Sequence, residues 1–283
     1  MNRALIINPT ETGQWPIRDG NKPVRFQSLS QFFCGPDWKR NAMRGYSDHL
    51  LIWVTRGQGR MILSGVRSGY NSHNAIFVPA GTMLKFECGS QCYGTVMRIS
   101  SALHVGLPQH PMHLRVRNAI DQCELTGHLE VLQQELDSRR ARSERAAICL
   151  LGLVSVWLER QSEEGPKSAA AHNPEAVEAV NAYTSAVEAN YASGKGIADY
   201  ASDLGHTPAD LTRYCKELCD LSASDILNQR IHYAAQEALS DGKVSFQQVA
   251  EDLGFSSPAY FTRSFENVTG ESPERFRART SAA

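Results

Sequence analysis

The chain has 283 residues, of which 42% are hydrophobic and 21% charged, which is long enough for two domains and ordinary for globular protein. That composition excludes a collagenous or low-complexity chain, and no apolar run approaches the roughly 18–20 residues that span a bilayer, so no membrane partner is expected. The net charge of −1 by itself gives no hint of a polyanionic partner.

In chain order, the first stretch, MNRALIINPTETG, lacks the apolar core and small-residue cleavage site of a secretory signal. The seven cysteines are an odd number, paired closely only as Cys88/Cys92 and Cys215/Cys219. They read as free thiols in a reducing compartment, so a cytoplasmic location is expected, with redox sensing as the alternative use.

Residues 1–107 read as β-rich. Short branched or aromatic runs occur at 25–29, 50–54, 60–63, 75–79 and 93–99. Turn signals separate them: Arg56-Gly57-Gln58-Gly59, Ser64-Gly65, Ser68-Gly69-Tyr70-Asn71 and Pro79-Ala80-Gly81. This rhythm predicts a small antiparallel barrel or sandwich. A barrel lumen can hold one small ligand, and Trp53, Phe77, Phe86 and Tyr93 are candidates to line it, with plain core packing as the alternative. Arg56 and Arg60 flank a Gly turn and could clamp a phosphate or carboxylate, or simply form a solvated hairpin tip. His49 stands beside Asp48 without a second nearby histidine, His73 sits in a polar loop, and Glu87 has no close His. Three or four convergent donors are needed for a metal, so none is expected.

From His113 the period becomes helical. Leu129, Leu132, Gln133 and Leu136 form one stripe, followed by a basic cluster that includes Arg140 and Arg142. A strongly apolar helix then runs over 143–161, with Ala147, Ile148, Leu150, Leu151, Leu153, Val154, Trp157 and Leu158 on more than one face. So wide a stripe implies burial on two sides. Residues 162–174 carry Gly165, Pro166 and Pro174 with no apolar periodicity, and read as an interdomain linker.

The remainder contains an internal repeat. After an opening helix marked by Val177, Val180, Tyr183, Val187 and Tyr191, Ile197-x-x-Tyr200-Ala201-x-x-Leu204-Gly205 parallels Phe246-x-x-Val249-Ala250-x-x-Leu253-Gly254 at an offset of 49 residues. Thr207-Pro208-Ala209-Asp210-Leu211-Thr212-Arg213 parallels Ser257-Pro258-Ala259-Tyr260-Phe261-Thr262-Arg263 at 50. In each copy a helix stops at a Gly, and a Ser or Thr followed by Pro starts the next. That is helix-turn-helix grammar, whose second helix enters the DNA major groove. A helix over about 223–240 joins the units, with Ile226, Leu227, Ile231, Ala234, Ala235, Ala238 and Leu239 buried. At 1.5 Å per residue it measures roughly 27 Å, near the ~34 Å of one DNA turn.

The run Leu253-Gly254-Phe255-Ser256, Tyr260-Phe261-x-Arg263-x-Phe265, Gly270-x-Ser272-Pro273 and Phe276-Arg277 resembles the signature of AraC/XylS regulators, and the resemblance extends from roughly Val177 to Arg277. The N-terminal strand rhythm is similar to the cupin-like sensor domains attached to such regulators. The expected fold is therefore α+β in two domains: an antiparallel, cupin-like β-barrel with flanking helices over 1–161, and an all-α domain with two helix-turn-helix units over 175–283. The resemblance implies DNA contacts at positions Ala209, Thr212, Arg213, Ala259, Thr262 and Arg263. Arg213 and Arg263 suit guanine O6/N7, and the Thr and Ala methyls suit thymine. Thr207, Lys216, Lys195, Ser256 and Ser257 suit backbone phosphates. It also makes the 143–161 helix a dimerisation element through Leu150, Leu151, Val154, Trp157 and Leu158, and implies contact with RNA polymerase. The first unit departs from the pattern: Asp220 replaces the usual Gly, Cys215 the usual aromatic, and Asp210 adds a negative charge on the recognition helix.

The expected function is thus a non-enzymatic, homodimeric, cytoplasmic regulator, an activator by resemblance, that binds double-stranded promoter DNA and responds to a small-molecule effector, without a cofactor. Two alternatives stand: a cupin-type metalloenzyme fused to a DNA-binding tail, and a constitutive or thiol-gated DNA binder. One observation opposes the main reading. Residues 1–171 carry 20 Lys and Arg against 14 Asp and Glu, whereas residues 172–283 carry 9 against 16, so the DNA-binding half is the acidic one. Phosphate binding needs local positive charge rather than a basic total.

Overall fold

A computed structural model of the protein describes residues 22–281 except 90, 139, 165–172 and 243. Eight strands come first: β1 (Val24–Ser28), β2 (Asp48–Arg56), β3 (Gly59–Leu63), β4 (Val66–Tyr70), β5 (Asn74–Val78), β6 (Leu84–Glu87), β7 (Tyr93–Ser100) and β8 (Met112–Arg115). Two one-turn helices, α1 (Leu29–Phe32) and α2 (Asp37–Arg40), lie between β1 and β2. The strands pair antiparallel into two sheets, one of five in the order β1-β7-β2-β5-β8 and one of three in the order β4-β3-β6. These hydrogen-bonded ladders are separate and do not join into one ring.

The alternation along β2 explains its unbroken apolar run. Leu51 and Trp53 face a cluster completed by α3 (Ala119–Asp137) and α4 (Ser143–Glu164), through Leu125, Leu129, Leu132, Leu151, Val154, Trp157 and Leu158. Leu50, Ile52 and Val54 point the other way, onto Met61, Leu63, Leu84 and Phe86 of the small sheet. A strand buried on both faces has no polar side to display.

Three strands depart from the sequence reading. The turn expected at 68–71 is strand β4 over its first three residues, since Ser68, Gly69 and Tyr70 pair with Met61, Arg60 and Gly59. Opposite Tyr70 the partner strand carries Gly59, where a Cβ would lie 2.4 Å from the Tyr70 phenol oxygen. Strand β6 lies in a stretch with no alternation long enough to notice. Residues 112–115, expected to begin the helical region, instead pair with β5, Phe77 opposite Met112 and Ala75 opposite Leu114. The helix starts only where Asn118 caps it by accepting from Ile120 N–H at 2.9 Å. The Ser64-Gly65 turn is as expected, with positive φ of 51° and 78°.

The second half is helical: α5 (Pro174–Asn190), α6 (Ile197–Asp203), α7 (Pro208–Cys219), α8 (Ala223–Ser240), α9 (Phe246–Asp252), α10 (Pro258–Thr269) and α11 (Pro273–Ser281). The expected linker at 162–174 begins inside α4, and its central residues 165–172 lie outside the described residues. The two halves share core. Ile62 of β3, with Met43 and Met83, joins Val180, Tyr183, Leu211, Leu218 and Ile226 in one buried cluster. Gly65 at the β3–β4 tip abuts α5, where a Cβ would lie 2.3 Å from Val180 Cγ1.

Two imidazoles are buried in this framework. His113 Nε2 donates to Asn74 Oδ1 at 2.8 Å, and burial, assisted by Arg115, lowers its pKa to about 4. His232 on α8 is likewise lowered to about 4 by burial. An unfolded His titrates near 6.5, so as pH falls the unfolded chain binds protons first. Their contribution to stability is therefore complete above pH ~6.5 and is lost as pH falls toward about 4. Urea midpoints should decline through that window, and less steeply in His232→Gln. An equally steep decline in the variant would remove His232 from the account.

Candidate nucleic-acid interface

Each helix-turn-helix unit is assembled by the same local devices. In the first, Gly205 at φ 72° turns the chain out of α6, and the Thr207 hydroxyl accepts from Asp210 N–H at 3.1 Å to cap α7. In the second, Gly254 at φ 73° leaves α9, and the Ser257 hydroxyl accepts from Tyr260 N–H at 3.2 Å to cap α10. Gly254 is also sterically required, because a Cβ there would sit 2.5 Å from the backbone nitrogen of Gly194. Both recognition helices begin with Pro and end in a left-handed residue, Asp220 at φ 60° and Gly270 at φ 77°. Asp tolerates that region better than most side chains. Here its carboxylate pairs with Arg67 of β4, tying the first unit to the small sheet.

The apolar faces turn inward. Leu211, Tyr214, Cys215 and Leu218 of α7 enter the shared core, and Phe261 and Phe265 of α10 pack with Phe276, Ala235 and Leu239. The opposite faces carry Ala209, Arg213, Ala259 and Arg263 exposed, with Thr212 and Thr262 half-buried beside them. Of the residues matched to phosphates, Thr207, Lys195, Lys216 and Ser256 are exposed and Ser257 is half-buried. The cations differ in availability. Arg213 is paired to Asp210 at 2.6 Å and Lys195 to Asp203 at 2.7 Å, whereas Arg263 makes no ion pair among the described residues. Tyr260, on the same face, is 54% exposed, with its ring 5.9 Å from that of Phe255.

Between the units runs α8, whose observed bounds of Ala223–Ser240 agree with the predicted connector. Ile226, Leu227, Ala235 and Leu239 are buried as read, with Ile231, Ala234 and Ala238 packed at the cluster margins. Three polar residues on it are also buried: Arg230, His232 and Tyr233. Sequence reasoning missed them, although Arg230 interrupts the apolar row Ile226–Ala234 at helical spacing. That interruption was the available signal.

Arg230 belongs to a network between the halves. It donates to both oxygens of Glu188 on α5, at 2.7 and 2.9 Å, and lies 3.6 Å from the Tyr191 ring centroid. Glu188 also accepts from Gly45 N–H at 2.8 Å, reaching the segment before β2. Arg44 is sandwiched between the Tyr46 and Tyr233 rings, at 4.5 and 4.6 Å, and donates to the Tyr233 hydroxyl. Trp38 of α2 packs on Tyr233 and Phe276. The β-rich half thus touches both helix-turn-helix units. Beside this network opens a cavity of about 780 Å³, lined from one side by Phe32, Lys39, Arg44 and Arg98 and from the other by Glu188 and Arg230.

The residues matched to a ligand lumen do not converge. Trp53 and Phe77 pack against α3 and α4, Phe86 packs on the opposite side of the large sheet, and all three are buried as core. Trp53 Nε1 donates to Thr126 at 3.2 Å. Tyr93 is exposed, with Arg56 over its ring at 5.7 Å, and Arg60 is exposed on β3. The residues matched to dimerisation are corrected more sharply. Leu151, Val154, Trp157 and Leu158 lie inside the monomer against the large sheet, and Leu150 packs at the edge of the same cluster. The wide stripe of α4 is consumed by α3 and the sheet, and its outward row is Cys149, Leu153 and Val156.

Among the described residues no group of three His, Cys, Asp or Glu is placed to hold a metal. His49 Nδ1 accepts from Ala80 N–H at 3.1 Å, while Asp48 is held by Arg25 and Arg98. All seven cysteines are free. Burial raises the Cys215 thiol to about 12, and burial with neighbouring Cys92 raises Cys88 to about 11, so neither is poised as a thiolate. Among the described residues no helix is long and apolar enough to cross a membrane.

Comparison with known proteins agrees with this geometry at the C-terminal end. Residues 200–279 match the family model of a helix-turn-helix domain. The chain is 27% identical over 134 residues to the Msm operon regulatory protein of Streptococcus mutans serotype c (strain ATCC 700610 / UA159), covering 46% of this chain and 47% of that protein. The match thus spans about half the length of that relative. Among solved structures, unsaturated fatty acid-bound wild-type ToxT from Vibrio cholerae strain SCE256 aligns with 94% of this chain and 99% of its own, at 11% identity and a TM-score of 0.44. A Chromobacterium violaceum transcriptional regulator, described among AraC-type DNA-binding domain-containing proteins, aligns with 38% of this chain and 97% of its own, at 23% identity and a TM-score of 0.34. With its doubled units, capped recognition helices and matching family model, the C-terminal part of this chain, over residues 200–279, is a helix-turn-helix domain.

Proposed function

We propose that the protein is a sequence-specific, double-stranded DNA-binding transcriptional regulator that acts without catalysis. The observation that carries this reading is the pair of outward recognition faces on α7 and α10, joined by the 18-residue α8. A connector of roughly 27 Å suits two helices that enter successive major grooves on one face of DNA. The bases are read from Ala209, Thr212, Arg213, Ala259, Thr262 and Arg263, with Thr207, Lys195, Lys216, Ser256 and Ser257 toward phosphates. Because the helical half is acidic, affinity rests on few contacts, and Arg263, exposed and without an ion pair among the described residues, is the strongest of them. Arg263→Ala should cost about 1–3 kcal/mol of binding and relax preference at one base position. A mobility-shift assay in which the variant binds a selected operator as tightly as the parent would remove Arg263 from the interface.

Regulation by a small molecule is part of the proposal, and the cavity between the halves suits it better than the filled interior of the strands. Among its lining side chains cations outnumber anions, Lys39, Arg44, Arg98 and Arg230 against Glu188 and Glu237, with Arg98 also paired to Asp48 behind the wall. An organic anion there would touch both halves, and so bias the arrangement of the DNA-binding units. Carboxylates and phosphate esters should raise the melting temperature of the full chain, and Lys39→Ala should reduce that rise. No shift across such a panel in the parent would argue for a constitutive binder. Dimerisation through α4, if it supports binding, must use Cys149, Leu153 and Val156. Contact with RNA polymerase and activation of transcription rest on family resemblance.

A further inference from the structure

On the outward N-terminal faces of the two recognition helices, Ala209, Thr212 and Arg213 recur as Ala259, Thr262 and Arg263, and the position that differs is Asp210 against Tyr260. Asp210 and Arg213 of α7 correspond, 50 residues on, to Tyr260 and Arg263 of α10. On α7 the Arg213 guanidinium donates to Asp210 Oδ1 at 2.6 Å, and Asp210 Oδ2 accepts from the Thr207 hydroxyl at 2.7 Å. The guanidinium also lies 4.9 Å from the Tyr214 ring centroid. The pair is therefore tethered at both ends, yet its side chains remain 40% and 64% exposed. On α10 the aligned Tyr260 has no charge to offer, and Arg263 makes no ion pair among the described residues.

A carboxylate in the first turn of a recognition helix is awkward for a DNA binder. It suits the helix dipole, but it repels the phosphates that supply most nonspecific affinity. It becomes favourable only where it meets a donor. The major groove presents two, the N4 amine of cytosine and the N6 amine of adenine. Arg213 uses few of its five N–H donors on Asp210, so the rest remain for guanine O6 and N7.

We propose that Asp210 is a base-reading residue: held by Thr207 and Arg213, it accepts from the exocyclic amine of a cytosine or adenine next to the guanine that Arg213 contacts. This rests on the DNA-binding reading above and deepens it. The first unit then reads a two-base step with a donor and an acceptor, and adds discrimination with little net attraction. The second unit, with Arg263, adds attraction and reads its step through donors. Asp210 is thus the position at which the repeat diverged in specificity.

The test is selection of bound duplexes from a randomised library by the full-length parent, Asp210→Ala and Asp210→Asn, with helicity of each checked by circular dichroism. The parent is expected to select two elements about one helical turn apart. Asp210→Ala should lose the cytosine-or-adenine preference beside one guanine, a drop of at least about five-fold in discrimination, while binding random duplex no less tightly. Asp210→Asn should shift the same position toward adenine, since an amide both donates and accepts. The other element should be unchanged in both variants. Identical motifs from the parent and both variants would overturn the inference and leave the DNA-binding reading intact. Absence of any motif with the parent would overturn both.

Discussion

Replacing Glu188 with alanine is expected to destabilise the full chain by about 3–5 kcal/mol, among the largest effects of any polar substitution. The carboxylate receives both donors of Arg230 and the Gly45 N–H, and the two side chains are 14% and 9% exposed. Without it, Arg230 keeps the Tyr191 and Tyr233 rings but no anion, and its Nη1 already has no hydrogen-bond partner among the described residues. An uncompensated guanidinium then remains buried, and the cost of that charge exceeds the worth of the lost bonds. A second variant separates the two contributions. Glu188→Leu combined with Arg230→Met removes both charges, and should recover much of the loss. Urea unfolding of the single and double variants measures this directly. A double variant as unstable as Glu188→Ala would show that shape, not charge, governs the site. Because Gly45 loses its acceptor too, proteolysis of the native protein near Gly45 should quicken in Glu188→Ala.

Phe265→Ala should cost a similar amount, about 3–5 kcal/mol, but in a different place. Phe265 is fully buried and touches Phe261, Phe276 and His232 with ring centroids 5.8, 5.6 and 6.2 Å away. The cluster around it is small and holds α8, α9, α10 and α11 together, so little neighbouring mass can collapse into the cavity. The second helix-turn-helix unit should therefore open before the rest. Hydrogen exchange should speed in α9, α10 and α11 while β2, β5 and β7 stay protected, and binding to a selected operator should fall sharply. Uniform loss of protection across the chain would mean that the two halves unfold as one cooperative unit, a result that their shared core around Ile62 also makes physically sensible.

The readable parts of this protein were those whose determinants lie close together in the chain. Helix ends at Gly205, Thr207, Gly254 and Ser257 follow from caps and left-handed residues within one or two turns, and they occur where the spacing put them. The repeat was legible because two copies of the same local grammar stand 49–50 residues apart. Strand β4 was not, since its glycine and polar residues carry turn chemistry, and only pairing with β3 makes them a strand. The faces of α4 were ambiguous for a related reason. A wide apolar stripe states that much of a helix is covered, but not by what, and the cover proved to be the chain's own sheet.

The amino-acid sequence alone determined the class of each half, the doubled helix-turn-helix units, the length of α8 and the outward side chains of α7 and α10, because helical periodicity and capping are local physics. Tertiary structure decided what those units are tied to. Glu188, Arg230, Arg44 and Trp38 are far apart in sequence, and nothing in their immediate neighbours says that they meet. It also decided that Arg213 is paired while Arg263 has no ion pair among the described residues, a difference of charge environment that depends on which residue stands one turn earlier and how its carboxylate is held. Contacts across long loops carry no local signature, since their free energy is realised only when packing brings distant groups together.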